Sequence, residues 1–300
     1  MADPDDVTLT FGGNATTLLR LGPLTLLTDP NFLHRGQRAY LGKGLWTTRL
    51  TEPALQPTQL PRLDAIVLSH LHGDHWDRIA TRHLDKDTPV VTTQEAAKAL
   101  DRRGFRSTAD LTPWQTYELT SGSSTLRITA APGVHGPGPV AKLLPPVMGS
   151  VLELTTDGAV TWRGYFTGDT LYRPFLAEVL ERCGPLDVVV PDLGGTQVLG
   201  ITVTMDGRQG ADLVELLQPA VTVPVHYDDY GYAFACTGEF DLVCCGHSHK
   251  AEARMVKNVK GGETWLVNPG TVAGLAAPST YVLGDLSAMR FEVKTLAGGD

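Results

Sequence analysis

Ser69-His70-Leu71-His72-Gly73-Asp74-His75 is the stretch that decides how this chain folds and what it can do. It sets three imidazoles and a carboxylate within seven consecutive residues. As ordinary core residues these would be costly, because a buried polar side chain needs a partner. The preceding Ala65-Ile66-Val67-Leu68 is a short apolar run. It predicts a buried strand that delivers the histidines at its C-terminal end. A spacing of two turns His70 and His72 to the same side of an extended segment. Asp74 and His75, at the turn into a following helix, reach a second position nearby. That geometry suits two metal ions a few ångströms apart. A solvated histidine-rich loop is the plain alternative.

The same alternation of strand and helix continues outward. Residues 7–11, 15–20 and 24–28 read as short strands broken by Gly12-Gly13 and Gly22-Pro23. An irregular stretch over 29–61, carrying Phe32, His34, Tyr40 and Trp46, either covers a site or packs on itself. Further on, 89–92 predicts a strand and 94–103 a helix capped by Thr93. Residues 126–130 read as a strand followed by a Pro/Gly-rich loop over 132–146. Residues 151–155 and 160–167 read as a hairpin turning at Asp157-Gly158. Helices over 173–182 and 210–217 alternate with strands over 187–190 and 221–225, the last ending at His226. Strands that end in polar residues, interleaved with helices, predict an α/β sheet with its site at the strand ends.

The bulk numbers narrow the function classes. Three hundred residues with 42% hydrophobic and 19% charged content are enough for a sizeable core. A net charge of -8 and scattered Lys and Arg provide no phosphate-tracking stripe, which argues against long nucleic acid and leaves a small-molecule substrate as the expected partner. The acidic start, Met1-Ala2-Asp3-Pro4-Asp5-Asp6, does not read as a signal peptide, and no apolar run reaches bilayer length. With Cys183, Cys236 and the adjacent Cys244-Cys245, the thiol content is low for a disulfide scaffold. A cytoplasmic location is expected. The oligomeric state is not legible here.

The His-x-His-x-Asp-His pattern after a strand resembles the metallo-β-lactamase superfamily. Thr28-Asp29-Pro30 and Asp64-Ala65-Ile66-Val67-Leu68-Ser69-His70 are similar to its branch containing ascorbate-phosphate lactonase and the phospholipase D that acts on N-acyl phosphatidylethanolamine. The resemblance spans about residues 7–230 and implies a four-layer αββα sandwich. It further implies that His70, His72 and His135 hold one metal, that Asp74, His75 and His226 hold the other, and that Asp169 bridges. His135 follows a strand in Ala131-Pro132-Gly133-Val134-His135, and Asp169 ends another in Phe166-Thr167-Gly168-Asp169-Thr170. Asp74 and Asp169 are the implied catalytic carboxylates.

After Tyr232 the texture becomes strand-rich. Cys245-Gly246-His247-Ser248-His249, then Leu266-Val267-Asn268-Pro269-Gly270-Thr271, resemble the last portion of calcineurin-like metallophosphoesterases, over about 238–296. The front half of that family, with its Asp-x-His and Gly-Asn-His motifs, is missing. The chain therefore reads as a fusion, natural or constructed. One domain spans 1–232, and a β-rich metallophosphoesterase-like segment packed on it spans 233–300. His247 and His249 are either vestigial or a supporting pair near the metals. His34 and Trp46 are candidates for substrate contact.

The chemistry expected is hydrolysis by a metal-bridging hydroxide, since two divalent cations lower the pKa of a shared water. Zinc suits the imidazole-rich donor set, with manganese or iron as alternatives. A phosphodiester is the leading substrate class. Lactone or carboxylester hydrolysis is the runner-up, followed by a weakly active or metal-holding scaffold. The loops over 32–46, 132–146 and 194–206 are the expected substrate walls, although simple packing would also explain the second.

Overall fold

The computed structural model describes residues 7–198, 200–227, 229, 242–244, 251–257, 262–268, 280–285 and 290–295. They divide into two compact units, Met1–Asp229 and Tyr230–Asp300.

The first unit opens with the antiparallel strands β1 (Val7–Gly13), β2 (Thr16–Leu21) and β3 (Leu24–Thr28). The stretch expected to be irregular instead forms a hairpin, β4 (Arg38–Gly42) and β5 (Leu45–Thr48). Its turn, Lys43 flanked by two glycines, runs through positive φ at all three residues, a turn signal that the sequence reading passed over. The chain then returns to the sheet as β6 (Ala65–Val67), α1 (Arg78–His83), β7 (Val90–Thr92), α2 (Gln94–Arg102) and β8 (Thr108–Asp110). The resulting six-stranded sheet has the order β1-β2-β3-β6-β7-β8 and is parallel from β3 onward. Asp77 caps α1 by accepting the Ala80 N–H at 2.7 Å, and Thr93 caps α2 as expected.

The second six-stranded sheet is built from β9 (Thr116–Ser121), β10 (Ser124–Pro132), β11 (Met148–Thr156), β12 (Ala159–Phe166) and β13 (Val188–Val190). After α3 (Ala177–Cys183), the ribbon β14 (Gln197–Val198) with β15 (Ile201–Thr202) and α4 (Gly207–Leu217), β16 (Val221–Thr222) completes it, in the order β16-β13-β12-β11-β10-β9. β8, β9 and the ribbon were not anticipated. β9 is an edge strand whose residues alternate between exposed and half-buried, so it carries little apolar signal.

Layering follows from side-chain parity. Leu26 packs in the core between the sheets, while its neighbour Leu27 packs under α1 and α2 with Ile66, Ala80 and Leu100. Likewise Val190 faces the inter-sheet core and Val189 faces α3 and α4 with Val179 and Leu213. Strands covered on both faces read as continuous apolar runs rather than alternating ones. Full burial of each such side chain stabilises by roughly 1.5–3 kcal/mol. The outcome is the four-layer αββα sandwich of a metallo-β-lactamase fold.

The second unit contains β17 (Leu242–Cys244), β18 (Glu252–Lys257) and β19 (Glu263–Asn268) in a sheet ordered β17-β19-β18. A hairpin of β20 (Thr280–Asp285) and β21 (Arg290–Thr295) accompanies it, and the Trp265 and Phe291 rings meet edge to face at 5.2 Å. It is β-rich, in line with the sequence. His247 and His249 lie outside the described residues.

Candidate metal centre

The donors arrive from strand ends that share one rim. Asp29 follows β3, His70 follows β6 after Leu68 and Ser69, His135 follows β10, Asp169 follows β12, Asp192 follows β13, and His226 follows β16. β3 and β6 are parallel, as are β12, β13 and β16. β10 runs the same way because two antiparallel pairings separate it from β12. Gly168, at φ +59°, makes the turn between β12 and Asp169, and a Cβ there would lie 2.7 Å from the Ser69 Cβ. No other residue type fits that approach.

Two buried groups of donors result. His70, His72, His135 and Asp169 form one, and Asp74, His75 and His226 form the other, with the atoms of each within 4.8 Å of one another. The seven donors read from the sequence are thus all brought together. Asp169 stands between the groups. Its Oδ2 lies 4.0 Å from His70 Nε2 and 3.9 Å from His135 Nε2, while its Oδ1 lies 3.5 Å from His75 Nε2 and 3.8 Å from His226 Nε2. His70 Nε2 and His72 Nδ1 face each other at 3.0 Å, and His226 Nε2 is 3.3 Å from Asp74 Oδ2.

Supporting bonds fix the rings. His135 holds its Nδ1 2.9 Å from the Val203 carbonyl, which leaves Nε2 for the cluster. His75 Nδ1 lies 3.4 Å from Asp29 Oδ2, and Asp29 Oδ1 accepts the Ser69 N–H at 2.7 Å. Asp29, Asp192 and His75 form a third buried group that the sequence reading missed. Both carboxylates follow strand ends, the signal used for His135 and Asp169, and Asp29 stands inside the quoted Thr28-Asp29-Pro30.

A second layer was also missed. Asn14 Nδ2 donates to the Asp74 carbonyl at 2.7 Å, and Asn31 Nδ2 donates to the Gly73 carbonyl at 2.9 Å, so two amides hold the turn of the histidine motif. The Asn14 carbonyl accepts the His226 N–H at 2.9 Å. Beneath them the fully buried Arg49 pairs with Asp229 at 3.5 Å and bonds Asn31, and Asp229 accepts the Asn14 N–H. These residues lie far apart in sequence and match no short pattern.

The electrostatics are those of a site built around positive charge. Burial and the neighbouring His75 and His72 hold the His70 imidazole well below its ordinary pKa, and burial brings His72 down to about 4. Burial opposes the charge of His226, yet Asp169 and the bond that the ring donates to Asp74 outweigh it and raise that ring to about 9. Burial, then the charge of Asp169, pushes Asp192 up to about 8. His72 Nε2, His135 Nε2, Asp74 Oδ1 and Asp192 Oδ2 are buried without hydrogen-bond partners. Leaving such atoms orphaned costs about 1–3 kcal/mol each, more for charged groups, so the donor set fits divalent cations.

The other candidates separate. Exposed His34 pairs with Glu52 at 2.7 Å and joins none of the donor groups. Trp46 is exposed and lines a groove that His72 also lines.

Comparison with known proteins agrees with this fold. The profile of the Beta-lactamase superfamily domain matches residues 25–227, and that of the Calcineurin-like phosphoesterase superfamily domain matches residues 201–289. A UPF0173 metal-dependent hydrolase of Carboxydothermus hydrogenoformans is 28% identical over 236 residues, 77% of this chain and 89% of that protein. The mitochondrial N-acyl-phosphatidylethanolamine-hydrolyzing phospholipase D of Saccharomyces cerevisiae is 29% identical over 117 residues, 38% of this chain and 24% of that protein. The isothiocyanate hydrolase from Delia radicum gut bacteria superposes with a TM-score of 0.62 at 24% identity, covering 75% of this chain and 87% of that one. With two thirds of its length matched and its buried donors gathered at one sheet rim, this chain belongs to the beta-lactamase superfamily.

Proposed function

We propose that this metal-dependent hydrolase of the metallo-β-lactamase fold holds two divalent cations and cleaves a phosphodiester. The observation that carries the reading is Asp169, whose two oxygens address different donor groups, Oδ2 toward His70 and His135 and Oδ1 toward His75 and His226. In this reading His70, His72 and His135 would hold one ion and Asp74, His75 and His226 the other, with Asp169 available to both groups. Zinc suits five imidazoles, and the carboxylates also accept manganese or iron. Ions there would supply a Lewis acid and lower the pKa of a bound water.

The chain's own groups do the rest. Asp74 stays ionised, because the bond from His226 and the nearby histidines overcome its burial, and its unpartnered Oδ1 suits it to hold a cation. Asp29 keeps the His75 ring turned toward Asp169, and the Val203 carbonyl does the same for His135. The preference for a phosphodiester is supported by the phospholipase D relative and by the phosphoesterase match at residues 201–289.

The test is metal content by mass spectrometry together with turnover of bis(p-nitrophenyl) phosphate and of a simple lactone. The expected result is two metal equivalents and faster phosphodiester cleavage. Lactone turnover without phosphodiester turnover would transfer the assignment to lactone hydrolysis. Protein that binds no divalent metal would overturn the centre itself.

A further inference from the structure

A groove of about 670 Å³ lies between the β4–β5 hairpin and α1, and Leu71, His72 and Gly73 of the histidine motif form part of its wall. The hairpin is seated by the motif itself. The Gly73 N–H bonds the Tyr40 carbonyl at 2.8 Å, and a Cβ on Gly73 would meet the Tyr40 nitrogen at 2.5 Å.

Four arginines line this groove, Arg38 on β4, Arg78 and Arg82 one turn apart on α1, and Arg103 capping α2. Among the described residues none of the four is in an ion pair. Asp77 is the carboxylate in the same wall, and it is committed to the backbone N–H groups of Ala80 and Phe32. In a chain of net charge -8, four guanidinium groups gathered against a single carboxylate, none of them ion-paired among the described residues, are complementary to an anion. The guanidinium fork matches a phosphate or carboxylate edge in particular. A second groove, lined by Arg62 and His83 together with Asp64, Asp85 and Asp87, has no such bias.

The remaining wall is apolar. Leu33, Leu71 and Trp76 contribute to it, and Tyr40 and Trp46 stand beside them with ring centroids 4.7 Å apart. Trp46 is 58% exposed and Tyr40 46%, so two aromatic faces are open to a ligand. The volume falls within the roughly 300–1,000 Å³ of small-molecule sites.

We propose that this groove binds a phosphate ester, its oxyanion held by Arg38, Arg78, Arg82 and Arg103 and its apolar body against Trp46 and Tyr40. The proposal deepens the hydrolase reading and rests on it for one point, that a ligand held here meets the metal centre along His72.

Binding is measured by titration calorimetry with 1-naphthyl phosphate and, as the uncharged control, 1-naphthol. Wild-type protein is expected to bind the phosphate at least tenfold more tightly than the naphthol. Added salt should weaken the phosphate binding. Arg78→Gln with Arg82→Gln should lower affinity for the phosphate at least tenfold with an unchanged melting curve. Arg82→Gln with Arg103→Gln provides an independent pair that leaves the Arg78 bond to the Arg38 carbonyl in place. Trp46→Ala should weaken phosphate and naphthol alike. His70→Ala, which removes a metal donor, should still bind the phosphate. Undiminished binding by both arginine pairs would overturn the proposal, as would loss of binding in His70→Ala with full binding in the arginine variants. Failure of the hydrolase reading would look different, as groove binding without metal or turnover.

Discussion

Asp169 does the most with the fewest atoms, because each of its oxygens faces a different group of imidazoles. Asp169→Ala is therefore expected to reduce metal content and to lower turnover at least about 100-fold, more than supporting residues usually contribute. His70→Ala should match it in activity while retaining more metal, since it leaves the Asp74, His75 and His226 group intact. Metal analysis beside turnover checks both, and near wild-type rates in a fully loaded variant would remove the assignment. At this scale much was legible. Imidazoles and carboxylates at strand ends announce themselves in sequence, because their burial needs a chemical reason. Asp192 did not, since a lone aspartate after an apolar strand is indistinguishable from an ordinary turn residue until its neighbours Asp29 and His75 are in place.

Among the elements, the β4–β5 hairpin and the layer beneath the motif show how tertiary context completes the site. Arg49, just after β5, is fully buried and pairs with Asp229, which follows the His226 turn, so the ion pair joins segments 180 residues apart (229 minus 49). Arg49→Met leaves the Asp229 carboxylate buried with less compensation and is expected to cost about 3–5 kcal/mol. At about 2–4 °C per kcal/mol for a unit of this size, the melting temperature should fall by roughly 6–20 °C. Arg49→Met with Asp229→Leu should recover part of that loss. A melting temperature within 1–2 °C of wild type for the single variant, on the order of experimental scatter on that scale, would show the pair to be dispensable. Central strands were read readily because both faces are apolar. The hairpin was missed because its strands are largely exposed, with Tyr40 and Trp46 facing outward.

For the whole molecule, metal and fold should be coupled. If cations bind only the folded chain, chelation removes a stabilisation of about 2.7 kcal/mol when free metal stands at 100 times its dissociation constant. The melting temperature should fall by several degrees and return when metal is restored. An unchanged curve after verified metal removal would mean that the donors are held in place without it. The tail poses a separate question. His247→Ala with His249→Ala is expected to leave metal stoichiometry unchanged, because the seven proposed ligands in the first unit suffice for two ions. Loss of one equivalent, read by mass spectrometry, would instead make the tail a contributor. Among the described residues no helix is long and apolar enough to cross a membrane.

Local chemistry explains what the sequence determined by itself. Apolar runs specify buried strands, Thr93 specifies a helix start, and clustered histidines specify a polyvalent donor set, since each signal is written within a few residues. The second family resemblance at the C-terminus was legible in the same way, through Gly246-His247 and Asn268-Pro269-Gly270. Only the tertiary structure decided which oxygen of Asp169 faces which imidazoles, that Asp29 and Asp192 join His75, and that Asn14, Asn31, Arg49 and Asp229 hold the motif from below. It also decided that four arginines scattered from 38 to 103 line one groove. These are relations between strand ends and loops, set when two sheets and four helices pack with one register. A side chain's neighbours across such a core follow from that register, and no local run of residues encodes them.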